Sequence, residues 1–395
     1  MTERKKLKAR VRARMARTGE TYTTAHRHVA VGDENPAGRS PFEHRESALS
    51  RLLLAHAGVH VSEPMACGLG GGIGFLYAVF EYEDADHPVL TIVAQHHPQP
   101  WLEAIAGHIG ARLATQHSTS PRPALTKLDR VLTDGTPAQL TVERGRLPWH
   151  DATHPQAAAD PYPVVVTGRQ DDAYLVTDRD DSPRPLDRGQ LGAAWAAHRK
   201  GRFALSTLAP PAGAVDLAAA VRRALTTTTD HLTGPVLGHA FDANFGLSGM
   251  ARLSADLRDT RTKSGWVSRF GEPAPFAYVL ARLAECLTTS YTGAAGTRPL
   301  YARFLVEAAG LFESPQLSQA AERIDAAAAQ WRAVANAGLR TDADPQPAHA
   351  RAAQPQFQHQ PQSQPAELFT ALADRVDAAA EHEHAAVELI RRALR

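Results

Sequence analysis

Cysteine is nearly absent: the 395 residues contain only Cys67 and Cys286. Two thiols cannot build the disulfide framework of a small secreted domain, and such scarcity fits a reducing compartment. Long apolar runs are missing as well; none approaches the roughly 18 residues that suggest a membrane span. The charged N-terminus is not followed by an apolar segment, so no secretory signal is read. Nor is one charge in excess overall. A net charge of +1 excludes a polyelectrolyte that binds through its whole surface. No internal repeat is found. These absences point to a cytoplasmic protein without membrane contact.

What is present is an ordinary globular composition, 43% hydrophobic and 22% charged, on a chain long enough for two domains. Charge is placed unevenly. Residues 1–31 read as a basic helical extension in which Arg4, Lys5, Lys6, Lys8, Arg10, Arg12, Arg14, Arg17 and Arg27 meet only Glu3 and Glu20. Leu7, Val11 and Met15 give it a narrow apolar stripe that suits docking on the body of the protein. The same cluster attracts phosphate without sequence specificity, so a weak nucleic-acid contact through residues 4–27 is the alternative. A linker, "GDENPAGRSP", follows at 32–41.

Residues 42–210 mix helices and strands. "VLTIVA" (89–94), "AQLTVE" (138–143), "YPVVVTG" (162–168), "AYLVTD" (173–178) and "RFALSTL" (202–208) read as strands. Residues 99–114 and 123–135 read as helices, and 168–172 and 178–185 as turns. Residues 211–338 carry helical periodicity throughout and form an all-helical domain. Residues 340–365 are Pro/Gln-rich and are expected to be a disordered linker. Residues 366–395 form a last helix, expected to pack on the helical domain. The fold class is therefore α+β followed by an all-α bundle.

The most informative stretch is "EHRESALSRLLLAHAGVHVSEPMACGLGGGIGFLY" (43–77). Ala48, Leu49, Leu52 and Leu53 bury one face of a helix that Gly58 ends. Arg45 stands at its start, where the unpaired N–H groups disfavour a cation and would favour a thiolate. The glycines at 68, 70, 71, 72 and 74 permit close approach and positive φ. They lack the Lys-Ser/Thr of a P-loop and the strand and helix of a dinucleotide fingerprint, so they read as a tight turn that lines a cleft.

On these residues the chain resembles the N-terminal domain of the butirosin side-chain acyltransferase family. That family shows a His-Cys-Glu-Thr/Ser opening, then Ser-Glu-x-Met, then a Gly-Leu-Gly-x-Gly turn and an aromatic residue. The resemblance continues in "ALTKLDRVLTDGTPAQLTV", "LPWH", "YPVVVTGRQDDAYLVTD" and "GRFALSTLAPP". "NFGLSGMARLSADLRD" (244–259) and "TGAAGTRPLYARFLVEAA" (292–309) resemble the helical domain of unknown function that often follows. The resemblance implies a papain-like N-terminal domain. It also implies transfer of an aminoacyl group from a carrier-protein thioester to an amine, with no cofactor or metal. Such chemistry uses a nucleophile, a base and a group that orients the base.

This sequence departs from that plan. Arg45 stands at the Cys position, between His44 and Glu46, and Tyr162 at the His position; only the acid has a candidate, Asp178. Arginine stays protonated and cannot attack an acyl group. Arg45 then either closes the site, in which case it should pair with Glu46, Glu63 or Asp178, or anchors an anionic ligand. Ser47 would need a base, and His44 is too near in sequence to be placed for it. Cys67 reads as a buried, inert thiol, with a relocated nucleophile as the alternative. His96 and His97 face opposite ways on a strand and do not make a joint metal site. Glu381 and His384 read as an exposed polar face. The implied substrate cleft comprises Glu63, Gly70, Gly71, Gly72, Tyr77, Arg298 and Tyr301. For Glu63 a structural role is favoured, and for Arg298 a staple between helices is an equal reading.

Three functions follow. The first is a catalytically degenerate relative that binds a carrier, peptide or other partner. The second is an active acyltransferase or amide hydrolase with an acyl carrier protein, peptide or small-molecule amine as partner. The third is a nucleic-acid-associated protein. Oligomer formation is compatible with each.

Overall fold

Helix α1 (Arg45–His56) opens the described part of the chain, capped by His44, and Gly58 follows it at φ +78°. The structure is a computed structural model that describes residues 43–83, 86–150, 161–178, 182–339 and 363–395. The basic extension (1–31), its nucleic-acid contact through residues 4–27, and all but the end of the 340–365 linker lie outside the described residues. Helix α2 (Glu63–Leu69), for which no element was expected, precedes the glycine turn and starts where the Ser62 hydroxyl accepts from the Met65 N–H. The glycine turn leads into an antiparallel hairpin, β1 (Leu76–Phe80) with β2 (Val89–Val93), in register Leu76↔Val93 to Phe80↔Val89. Helix α3 (Trp101–Ile109) stops five residues earlier than periodicity suggested, since Gly110 takes φ +69° and closes it.

The residues beyond that stop form strand β3 (Leu113–Gln116) instead of helix. It edges an antiparallel sheet of order β3-β8-β4-β5-β6-β7. The other strands are β4 (Ala138–Glu143), β5 (Pro161–Gln170), β6 (Ala173–Thr177), β7 (Arg184–Asp187) and β8 (Leu205–Leu208). β7 lies where a turn was expected. β8 starts late because Arg202 and Phe203 have positive φ and cannot lie in a ladder. Helices α4 (Pro121–Thr133) and α5 (Arg188–Ala197) cover the sheet with Leu125, Leu128, Leu191 and Trp195.

The rest is helical: α6 (Leu217–Thr233), α7 (Gly246–Arg258), α8 (Trp266–Phe270), α9 (Pro273–Thr288), α10 (Arg298–Phe312), α11 (Pro315–Leu339) and α12 (Ser363–Leu394). The chain is thus α+β, sheet-rich in its N-terminal part and helical in its C-terminal part. The cores divide differently from the sequence. One core joins α1, α2, β1, β2 and α3 to the helical bundle through Leu49, Leu53, Ile73, Phe304 and Trp331. The second lies under β4–β7 with α4 and α5. Among the described residues no helix is long and apolar enough to cross a membrane.

A buried ion pair locks the first core. Arg298, at the start of α10, meets Glu383 of α12 through two N–H···O bonds of 2.9 Å. Its other donors reach the carbonyls of Ala94, Gly296 and Gly74, so all five N–H groups are satisfied. Trp331 of α11 donates to the same carboxylate at 2.8 Å.

Candidate functional site

The site forms where the start of α1, anchored in one core by Leu49 and Leu53, meets β5 and β6 of the other. His44 holds the helix start. Its Nδ1 accepts from the Ser47 backbone and lies 2.7 Å from the Ser47 hydroxyl; its Nε2 lies 2.7 Å from Gln95 Oε1. Burial lowers the His44 pKa against the opposing pull of Glu46, so the ring is neutral. The backbone N–H groups of Glu43 and His44 both donate to Glu63 Oε1 at 2.8 Å. Glu63 therefore positions the start of the site. Burial pushes its carboxyl up despite those two bonds.

Arg45 extends from this start to the sheet. Its guanidinium carbon sits 4.0 Å from the centre of the Tyr162 ring. Nη1 donates to the Pro163 carbonyl and Nη2 to Glu46 Oε1, each at 2.7 Å. A cation at a helix start is opposed by the helix dipole, and Glu46 in the same turn offsets that cost. Burial disfavours the charge, but Glu46, Tyr162 and Asp178 outweigh it and hold Arg45 protonated. Arg45 in turn keeps the Glu46 carboxyl below its ordinary range, against burial. Of the pairings expected for a closed site, the one with Glu46 is formed.

Tyr162 faces inward from β5, opposite Val142 of β4, and its hydroxyl donates to Asp178 Oδ2 at 3.3 Å. Asp178 follows β6 directly. The same oxygen accepts from Trp149 Nε1 at 2.8 Å and lies 2.7 Å from His150 Nε2. Burial raises this carboxyl, but the bonds from His150 and Trp149 dominate and hold it low. Arg45, Tyr162 and Asp178 thus form one chain of contacts, from cation to ring to carboxylate. It contains no thiol: arginine does not give up its proton here, and the tyrosine hydroxyl donates to the Asp178 carboxylate.

No role in the site was expected of Trp149 and His150, the end of "LPWH", yet both bond to Asp178. The signal was there: an aromatic and a histidine placed between two strands whose ends carry site residues. Arg144 was also missed; it follows β4 and lies 5.9 Å from the Tyr162 ring centre.

Apart from the partly buried Glu63, the residues expected to line a cleft are packed inside instead. Tyr77 is 1% exposed; its hydroxyl donates to Asp256 and accepts from Trp266 Nε1. Gly70, Gly71 and Gly72 are buried, because Trp101, His96 and Tyr301 press against them where a Cβ would otherwise sit. Arg298 is the staple to Glu383, and Tyr301 is fully buried beside Gly72. Cys67 is fully buried against Trp101 and Leu300, and burial pushes its thiol far above the usual range, so no thiolate forms. Ser47 does receive His44 as a partner, contrary to expectation, since the capping ring folds back one turn. Ser47 is nevertheless 0% exposed and out of reach of a substrate. Glu381 and His384 are exposed, while Glu383 between them is not. Among the described residues no group of three His, Cys, Asp or Glu side chains could hold a metal.

Residues 44–179 match the family described as Butirosin biosynthesis protein H, N-terminal. Residues 192–390 match the domain of unknown function DUF4872. No curated protein matches the chain.

Proposed function

Because the chain belongs to the DUF4872 family and carries the N-terminal domain of butirosin biosynthesis protein H ahead of it, we propose that it is a catalytically degenerate member. It works by binding a carrier protein, a peptide or another partner in specialised metabolism. Its N-terminal domain follows the papain-like plan, with Arg45 and Tyr162 in the places of the thiol and the imidazole. The observation that carries this reading is the Arg45 guanidinium, stacked at 4.0 Å on Tyr162 and tied to Glu46 and Pro163. A covalent acyl route needs an ionisable nucleophile at that point and a base beside it. Two members of one machine are replaced together, and the replacements bond to each other's surroundings. Cys67 offers no substitute, being buried and held as a thiol. Two buried free thiols suit a cytoplasmic location.

The test uses the full chain, an aminoacyl N-acetylcysteamine thioester and an amine acceptor, read by intact mass and product formation. The expected result is no acyl adduct and no transfer above the blank, with or without iodoacetamide. The Arg45→Cys/Tyr162→His variant should gain an iodoacetamide-sensitive acyl adduct. An adduct on the unaltered chain would overturn the reading.

A further inference from the structure

We propose that the end of the large sheet beside Tyr162 and Asp178 is a docking surface for an acidic protein, one that presents a face rich in Asp and Glu. Two cationic turns, 144–146 and 199–202, build that surface. The proposal rests on the degenerate reading, in which the chain works by binding, and extends it by naming the partner's chemistry and where it sits.

The sheet brings the two turns together. β4 and β8 run antiparallel, with Gln139 opposite Ser206 and Leu140 opposite Leu205. The chain leaving β4 and the chain entering β8 therefore lie at one end of the sheet. "RGR" (144–146) follows β4 and "RKGR" (199–202) precedes β8. The first turn packs on α5, and α5 runs almost directly into the second. His198 lies between them: burial and Lys200 lower its pKa, and Glu143 raises it. Arg146, Arg199, Lys200 and Arg202 are all exposed. Glu143 pairs with Arg146 at 3.3 Å, whereas Arg199, Lys200 and Arg202 have no ion pair among the described residues. Like charges this close repel, and salt screens them only in part, so a carboxylate-rich surface would relieve them. The second turn is also held in place. Arg202 and Phe203 take φ +46° and +52°, where L side chains rarely lie, and the Phe203 ring packs edge-on against Trp195 at 5.6 Å. A backbone fixed in advance lowers the ordering cost of association. The same sheet end carries the degenerate site, since Glu143 pairs with Pro161 and Val165 with Thr177. A partner held by the two turns is thus brought beside Tyr162 and Asp178. The surface suits nucleic acid poorly. None of the exposed large apolar side chains among the described residues lies in either turn, so bases have no platform to stack on. Each turn has only three helical residues, too few to enter a groove.

Fluorescence anisotropy of a fluorescein-labelled polyglutamate peptide, titrated with the full chain, tests this. The basic segment 1–31 also attracts anions, so the readout is the difference between variants. Arg199→Gln/Lys200→Gln/Arg202→Gln should weaken binding about tenfold, the scale of three exposed ion pairs lost together. Its fold should hold, because these side chains make no ion pair among the described residues; if it does not, Lys200→Glu alone should weaken binding in the same direction. Arg323→Gln/Arg332→Gln/Arg392→Gln removes the same charge from exposed positions on α11 and α12 and should bind like the unaltered chain. Equal binding by the variant of the 199–202 turn would overturn the proposal and leave the degenerate reading standing. So would a labelled DNA duplex that binds more tightly than the peptide and is weakened by the same variant. An acyl adduct on the unaltered chain would overturn the degenerate reading while the peptide result stands.

Discussion

Glu383→Ala probes the joint between the N-terminal hairpin and the helical bundle. Glu383 and Arg298 are both 0% exposed. Removing one partner of such a pair costs about 3–5 kcal/mol, because the remaining charge stays buried and uncompensated. Trp331 Nε1 also loses its acceptor, which adds about 1 kcal/mol or more. A total near 5 kcal/mol is a large share of the roughly 5–15 kcal/mol that holds a domain together. At about 2 °C per kcal/mol for a chain of this size, the thermal midpoint should fall by about 10 °C. Calorimetry and urea unfolding, followed by tryptophan fluorescence, would measure both quantities. Arg298→Met/Glu383→Leu should be more stable than Glu383→Ala, since no buried charge remains. It should still fall short of the unaltered protein, because the carbonyls of Gly74, Ala94 and Gly296 lose their donor. A loss under about 1 kcal/mol in Glu383→Ala, or a double variant weaker than the single one, would refute the assignment of the pair as a staple.

Two further outcomes follow from the interior. Gly71→Ala should cost about 2–4 kcal/mol in urea unfolding, because φ is +97° and the new Cβ meets the His96 ring; a cost under 1 kcal/mol would show that the ring gives way freely. His96 is held down to about 3, by burial first and then by neighbouring His231. Between that value and the ordinary ~6.5 the unfolded chain carries a proton that the native one does not, so stability falls with falling pH by about 1.4 kcal/mol per unit. His96→Phe should remove that slope, gaining about 2 kcal/mol on the unaltered chain between pH ~7 and ~5 in paired urea titrations; parallel slopes would contradict it.

Much of the helical part was readable in advance because its signal is local. Apolar residues repeat at helical spacing in α7, α9, α10 and α11, which fall inside or across the ends of the stretch expected to be helical, 211–338. Short elements were not readable. β3 reads as the tail of a helix until Gly110 is seen to stop that helix, and its ladder comes from β8, ninety residues on. β7 carries Pro185 and sits at a sheet edge, where a ladder tolerates proline, so its composition reads as a turn. Glu383 had a signal that went unused. It lies in the apolar stripe of Val376, Ala379, Ala386, Val387 and Ile390, where a lone carboxylate demands a cation.

The sequence alone determined which residues stand at the decisive positions. It places Arg45 at a helix start, Tyr162 on a strand and Asp178 at the end of the next one, because helix and strand periodicity are properties of neighbouring residues. It also determined the order of the two matched regions. Only the tertiary structure decided which charge meets which. Arg45 reaches Pro163 across 118 residues and Arg298 reaches Glu383 across 85. Such pairings depend on how two cores pack together, and burial makes an unpaired charge costly enough that packing and pairing must be settled at once.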